Sequence, residues 1–271
     1  MLIRVVGGFW LVFAALLAPA WASPADSVRQ KPDRTSCDRA QFRIVLDVGH
    51  SAEVPGAFSA RGVPEYEFNL RLANQLGTAL KSAGFAKTAV LVTPGPARAG
   101  LFTRVARSNG WPADLFISIH HDSVPERFLE VWEYDGKPNR YSDRFRGHSI
   151  FVSNDNAQRD ASLNFARLLG KQMKAHGLKY ARHYAEAFMQ ERQRQLLDPE
   201  AGVYRYDQLI VLKDTTMPAV LLEAGSIVNR DEELLVQTPQ YQARIGAALT
   251  EAVGLFCAKR PAPVAKQQAG R

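Results

Sequence analysis

Three short apolar runs in the chain each end in polar residues. Phe42-Arg43-Ile44-Val45-Leu46 empties into Asp47-Val48-Gly49-His50, Leu115 to Ile119 leads into His120-His121-Asp122, and Pro218 to Leu222 ends at Glu223. Apolar runs of this length, bounded by turn signals, read as buried strands. Ala89 to Val92, stopped by Thr93-Pro94-Gly95-Pro96, is a further strand, as are Leu129 to Tyr134 and Ser149 to Ser153. Between them the apolar period lengthens to that of a helix. Leu72, Leu76, Ala79, Leu80 and Ala83 form a stripe within Glu67 to Ala83, closed by Gly84. Leu101 to Asn109, Ala161 to His176 and the very polar Ala185 to Leu197 predict three more helices. Thr238-Pro239 opens a last one, with Tyr241, Ile245, Ala248, Leu249, Ala252 and Phe256 on one face. Strands alternating with helices predict an α/β fold: a single domain whose largely parallel mixed sheet is covered by helices on both faces.

The ends of the chain have a different character. Met1 to Arg4 is a short basic start, Val5 to Leu17 is almost wholly apolar, and Ala20-Trp21-Ala22 has the small-x-small form of a cleavage site. Residues 1–22 therefore read as a secretory signal, cut before Ser23. The apolar run is too short to span a bilayer, and no later stretch is apolar enough, so no membrane span is expected after cleavage. Residues 23–39 are expected to be a flexible leader, 40–258 the folded domain, and 259–271 a disordered tail. An exported chain belongs in the periplasm or outside the cell, an oxidising setting in which Cys37 and Cys257 could be joined, clipping together the two ends of the domain.

Composition excludes several classes. The 271 residues are 46% hydrophobic and 23% charged, which is the balance of a globular protein rather than a disordered chain. Two cysteines exclude a disulfide-dense miniprotein and any CxxC chemistry. The net charge of +7 is dispersed, with no basic run interleaved with aromatics, so nucleic acid is not the expected partner. Anionic envelope polymers suit that surface better.

In open α/β sheets the ligand crevice lies outside the carboxyl ends of the strands. His50, His120 beside His121, and Glu223 all fall there. Catalytic zinc takes three nitrogen or oxygen ligands and keeps one position open. Strand-end histidines and acids in a chain without free thiol options are a set that can meet this requirement.

The local sequences go further. Asp47-Val48-Gly49-His50, then Gly62 to Leu70 with its Glu65-Tyr66-Glu67-Phe68-Asn69-Leu70, then Ile117-Ser118-Ile119-His120, then Met217 to Asn229 occur in that order. Together they resemble the zinc-dependent N-acetylmuramoyl-L-alanine amidases of the cell-wall lytic type, from about Ile44 to Ala252. The resemblance implies Zn²⁺ held by His50, Glu65 and His120, with Glu223 as the catalytic acid and base. Glu67 rivals Glu65, and His121 rivals His120. Alternation along a strand lets only one of two adjacent histidines face the metal readily. Two departures touch the surroundings: the family's Gly-Gly after the first histidine is Ser51-Ala52 here, and the Asn of its Ser-Ile-His-x-Asn is Asp122.

The implied reaction is hydrolysis of the amide between N-acetylmuramic acid and L-alanine in peptidoglycan. Zinc would lower the pKa of a bound water to about 7 and polarise the carbonyl, while Glu223 moves the proton. Other readings are a carboxypeptidase or deacetylase on wall material, sharing the metal site, or a non-catalytic wall-binding module, which should lack one of the four residues. The stretch between His120 and Glu223 is longer than two or three strand-helix units require. By resemblance, residues 180–202 could be a gating helix, with Glu186 or Glu191 donating a carboxylate to the metal until a protein activator moves it.

Overall fold

The structure is a computed structural model that describes residues 37–259 and Leu2. The signal segment, nearly all of the leader and the tail beyond Lys259 lie outside the described residues.

In chain order the elements are β1 (Ile44–Val48), α1 (Glu65–Ser82), β2 (Thr88–Leu91), α2 (Ala97–Gly110), β3 (Leu115–Asp122), β4 (Glu130–Tyr134), β5 (Lys137–Tyr141), β6 (Ser149–Val152), α3 (Arg159–Ala175), β7 (Leu196–Asp198), β8 (Val203–Arg205), α4 (Ile210–Lys213), β9 (Ala219–Ser226), α5 (Arg230–Val236) and α6 (Pro239–Lys259). Seven strands form one sheet in the order β2-β1-β3-β9-β6-β8-β7, and β4 with β5 makes a separate hairpin. β2, β1, β3 and β9 run parallel, β6 is antiparallel to β9, and β7 is antiparallel to β8. The sheet is thus mixed and mostly parallel, as the sequence predicts.

Both faces are covered. Alternate strand residues Ile44, Leu46, Val48, Leu115, Ile117 and Ile119 pack in one core with residues of α1, α3 and α6. The intervening Val45 and Phe116 pack in a second core with Leu101 and Val105 of α2 and Val211 and Leu212 of α4. All six residues of the predicted α6 stripe are buried, as are Leu72, Leu76 and Leu80 of α1. Cys37 and Cys257 are bonded, with Cα atoms 5.2 Å apart, and this joins the start of the domain to the last turn of α6.

The expected helix over Ala185–Leu197 is not there. In its place are two 3-10 turns, His183–Ala185 and Ala187–Arg192, followed by β7. Gln190 sits at φ +53, outside helical space. Tyr184 and Met189 are buried in the second core, so the segment is fixed by tertiary burial and not by a helical stripe. β5, β7, β8, α4 and α5 have no counterpart in the sequence reading.

Candidate metal centre and active site

β1 and β3 are neighbours in parallel register, and their ends deliver His50 and His120 to one edge of the sheet. Glu65 arrives from the first turn of α1, where a carboxylate is favoured by the positive end of the helix. One donor atom from each of the three residues lies within 4.8 Å of the others, and this is the group of metal-ligating type found among the described residues. Glu65 Oε2 is 3.0 Å from His50 Nε2, and Oε1 is 3.0 Å from His120 Nδ1. The imidazole rings meet edge to face at 4.9 Å.

The local backbone is shaped for this meeting. A Cβ on Gly49 would lie 2.5 Å from the His120 ring, so only glycine lets that ring settle over β1. Gly56 has φ +81, and a Cβ there would strike both Glu65 and His50 at 2.6 Å. His50 itself takes φ +64, uncommon for a residue with a side chain. Arg104 of α2 holds it there, donating to the His50 carbonyl and pairing with buried Asp47 at 3.4 Å. Ser118 adds a hydrogen bond to Asp47 at 2.8 Å. Sequence reasoning missed Arg104, although a signal existed. Gly100, Arg104 and Ser108 are the buried stripe of α2, and an arginine on such a stripe calls for a buried partner.

The two ambiguities in the ligand set separate in space. His121 points to the opposite face of the sheet from His120, where it meets Asn69 Oδ1 at 2.9 Å and packs on Phe68. Burial pushes its pKa down to about 3, keeping it neutral. Glu67 is on the exposed side of α1. Asn69, one turn after Glu65, donates to Glu65 Oε1 at 3.1 Å and to the Gly49 carbonyl at 3.2 Å. It therefore ties the carboxylate to the end of β1. The helix starts at Glu65, two residues before the Glu67 at which the sequence pattern begins, and this puts Asn69 one turn further along, on the same side.

Glu223 on β9 pairs in register with His120. A bulge follows, because Asp122 then pairs with Ser226, a local re-aiming of side chains common beside active sites. The Glu223 Oε2 is buried and accepts no hydrogen bond. Burial, and then the charges of Asp122 and Glu65, raise its pKa well above the carboxylate range, and Arg192 offsets this only in part. For Glu65, burial also pushes upward, but hydrogen bonds from His120 and His50 outweigh it and hold the pKa below the usual range.

Asp122, the position where the sequence departs from an asparagine, binds the unpredicted turns. It accepts a 2.6 Å hydrogen bond from Tyr184 Oη, lies 3.5 Å from His183 Nε2 and 3.8 Å from Arg192. The carboxylate is thus matched by partners that an amide would not need. Glu186 and Glu191 are exposed and stand outside the three-residue group.

An α/β sheet that gathers two histidines and a buried glutamate at its strand ends, beside a second glutamate whose Oε2 accepts no hydrogen bond among the described residues, defines a catalytic domain with a candidate metal centre. Residues 44–254 match the family model of the N-acetylmuramoyl-L-alanine amidases, and the chain belongs to that family. It is similar to N-acetylmuramoyl-L-alanine amidase AmiA of Escherichia coli K12, 25% identical over 238 residues that cover 78% of this chain and 74% of AmiA. It is also similar to the endolysin of Bacillus phage SPP1, 26% identical over 198 residues, 73% of this chain and 59% of that one. Among solved structures, the catalytic domain of CwlV, an amidase from Bacillus (Paenibacillus) polymyxa var. colistinus, superposes with a TM-score of 0.56 at 27% identity, covering 78% of this chain and 96% of that one. Ami1 from Mycobacterium smegmatis shares the fold with a TM-score of 0.62 at 19% identity, over 82% of this chain and all of Ami1.

Proposed function

We propose that this protein hydrolyses the amide bond between N-acetylmuramic acid and L-alanine of peptidoglycan, with Zn²⁺ held by His50, Glu65 and His120. The observation that carries the reading is the convergence of these three donors beside Glu223, in a chain of the amidase family. The donor set suits zinc: two imidazoles and one carboxylate, fixed from behind by Asn69, Arg104 and two glycines that leave no room for other side chains. When bound, the metal supplies Lewis acidity toward the amide carbonyl and acidifies water.

The chain's own residues do the rest. Glu223 is the proton carrier: it takes a proton from the attacking water and returns one to the leaving nitrogen of L-alanine. A carboxylate whose Oε2 is committed to no other hydrogen bond is able to take that proton and pass it on. Asp122, anchored by Tyr184, keeps the bulged end of β3 in place beside Glu223. Glu186 and Glu191 are exposed and stand outside the three-residue group, so neither supplies the gating carboxylate that the resemblance suggests; a partner acting on residues 180–202 would reach the site through Tyr184 and its bond to Asp122. We place the protein in the periplasm or outside the cell, on the strength of the amino-terminal signal pattern, the cysteine pairing and the substrate.

The test is digestion of purified peptidoglycan by the zinc-loaded protein. New L-alanine amino termini without new reducing sugars are expected. Release of D-alanine or acetate instead would replace the reading with a carboxypeptidase or a deacetylase.

A further inference from the structure

Beyond Asp122 the sheet edge opens onto a cavity of about 330 Å³ whose rim carries Arg144, Arg146 and Arg182. All three side chains are exposed, and none has an ion pair or hydrogen bond to a carboxylate among the described residues. Elsewhere in the domain Arg61, Arg104, Arg167, Arg205 and Arg230 each pair with an acid. One acid, Glu186, shares the rim with the three guanidinium groups.

The floor is aromatic and rigid. Phe145 is 2% exposed, and Phe128, Phe145 and Phe188 pack on one another with centroids 5.4 to 6.2 Å apart. The Arg144 guanidinium lies 4.3 Å over the Phe188 ring and 5.1 Å from that of Phe145, which fixes its plane and leaves its edge free. Arg127 donates to the Phe188 and Met189 carbonyls, securing the far wall. A fixed, unpaired guanidinium fork is suited to a planar anion, above all a carboxylate.

The cavity is also within reach of the reaction. His183, part of its lining, is 3.5 Å from Asp122. Asp122 is two strand residues beyond His120, about 7 Å. The opening therefore starts roughly 10 Å from the metal group, the span of about three residues of extended peptide. Resting on the amidase reading, we infer that this cavity is the subsite for the acidic stem peptide: Arg144, Arg146 and Arg182 receive the free carboxylates that follow its first alanine. The cleft would then select the peptide side of the scissile bond by charge, with residues 144–146 and 182–188 as the selecting walls.

The test compares kcat/KM for a muramoyl tetrapeptide with free carboxylates against the same peptide with those carboxylates amidated. The wild type should prefer the acidic form. Arg144→Gln with Arg146→Gln, and separately Arg182→Gln, should each lower that preference about tenfold, mainly through KM, the scale of one lost charge-assisted contact. Arg182→Lys, which keeps the charge, should retain part of it. A wild type indifferent to amidation, or variants with an unchanged preference, would overturn the inference. So would variants that keep the preference yet lose binding to phosphatidylglycerol vesicles, since the cluster would then serve an anionic surface. A wild type that opens neither peptide would instead remove the amidase reading beneath it.

Discussion

Glu65 and Glu223 stand at the same edge of the sheet, both enclosed, and their surroundings drive them in opposite directions. Burial raises the pKa of each. At Glu65 two imidazoles answer with hydrogen bonds at 3.0 Å, and the carboxylate stays charged. At Glu223 no donor reaches Oε2, and the neighbouring charges of Asp122 and Glu65 add to the cost of ionisation. Two residues of one type thereby acquire two capacities: one is a fixed anion fit to hold a cation, the other a site where a proton can rest. The division comes from the local donors and not from depth, since Glu65, the less exposed of the two, is the one that stays charged.

The contrast can be broken most severely at its cation side. His50→Ala or His120→Ala removes one of three converging donors, and elemental analysis should find zinc reduced to background. Hydrolysis of peptidoglycan should fall by roughly three orders of magnitude or more. Glu67→Gln, on the exposed face two residues from Glu65, should change neither quantity. Zinc retained at wild-type stoichiometry in His120→Ala would mean that His121, or another group, takes its place.

The next largest effect lies away from the site. Cys37 and Cys257 are 220 residues apart, and a crosslink closing so long a loop stabilises by up to about 5 kcal/mol in the chain-entropy account. Replacing both by serine should lower the unfolding free energy in urea by about 2 to 5 kcal/mol. A loss below about 1 kcal/mol would show that the two ends hold without the bond.

A smaller effect depends on pH. His148 is buried, neither ring nitrogen makes a well-formed hydrogen bond among the described residues, and burial, offset only in part by the Lys179 backbone, lowers its pKa from 6.5 to about 4. The unfolded chain protonates this residue first. Its contribution is therefore complete above pH 6.5 and is lost as the pH falls toward 4, to the extent of about 3 kcal/mol. Urea titrations across that window should show stability falling with acid, and His148→Gln should flatten the slope. An unchanged slope would place the proton uptake elsewhere.

The smallest effect sharpens how Glu65 is held. Asn69→Ala leaves all three donors but frees the carboxylate that Asn69 orients, so zinc affinity in chelator competition should weaken about 10- to 100-fold. Wild-type affinity in this variant would mean that the two histidines alone position Glu65.

Much of this arrangement is legible in the sequence, because its strongest signals are physical ones. Apolar runs ending at His50, His120 and Glu223 become adjacent parallel strands, and a crevice at their carboxyl ends follows from the topology. The choice between His120 and His121 needed the register, which sends adjacent side chains to opposite faces. The segment from Ala185 to Leu197 misled, because its polar composition suits a surface helix. The determinants of its actual path are long-range: Tyr184 bonded to Asp122, and Met189 buried against the sheet. β5 was missed because Lys137-Pro138-Asn139-Arg140 is polar and Pro138 interrupts it, so although Asn139 and Tyr141 are half-buried there is no apolar alternation to read. Asp122 looked like a loss of a family amide, yet with Tyr184, His183 and Arg192 against it the acid is a matched part of this chain's own cleft.

The central claim is the division of labour between the two glutamates, and one paired measurement tests it most directly. Zinc content and peptidoglycan hydrolysis are measured side by side for Glu223→Gln and Glu65→Gln. The account predicts that Glu223→Gln keeps its zinc and loses hydrolysis by on the order of a thousandfold, whereas Glu65→Gln loses both. Near-normal turnover by Glu223→Gln, or full zinc in Glu65→Gln, would contradict it.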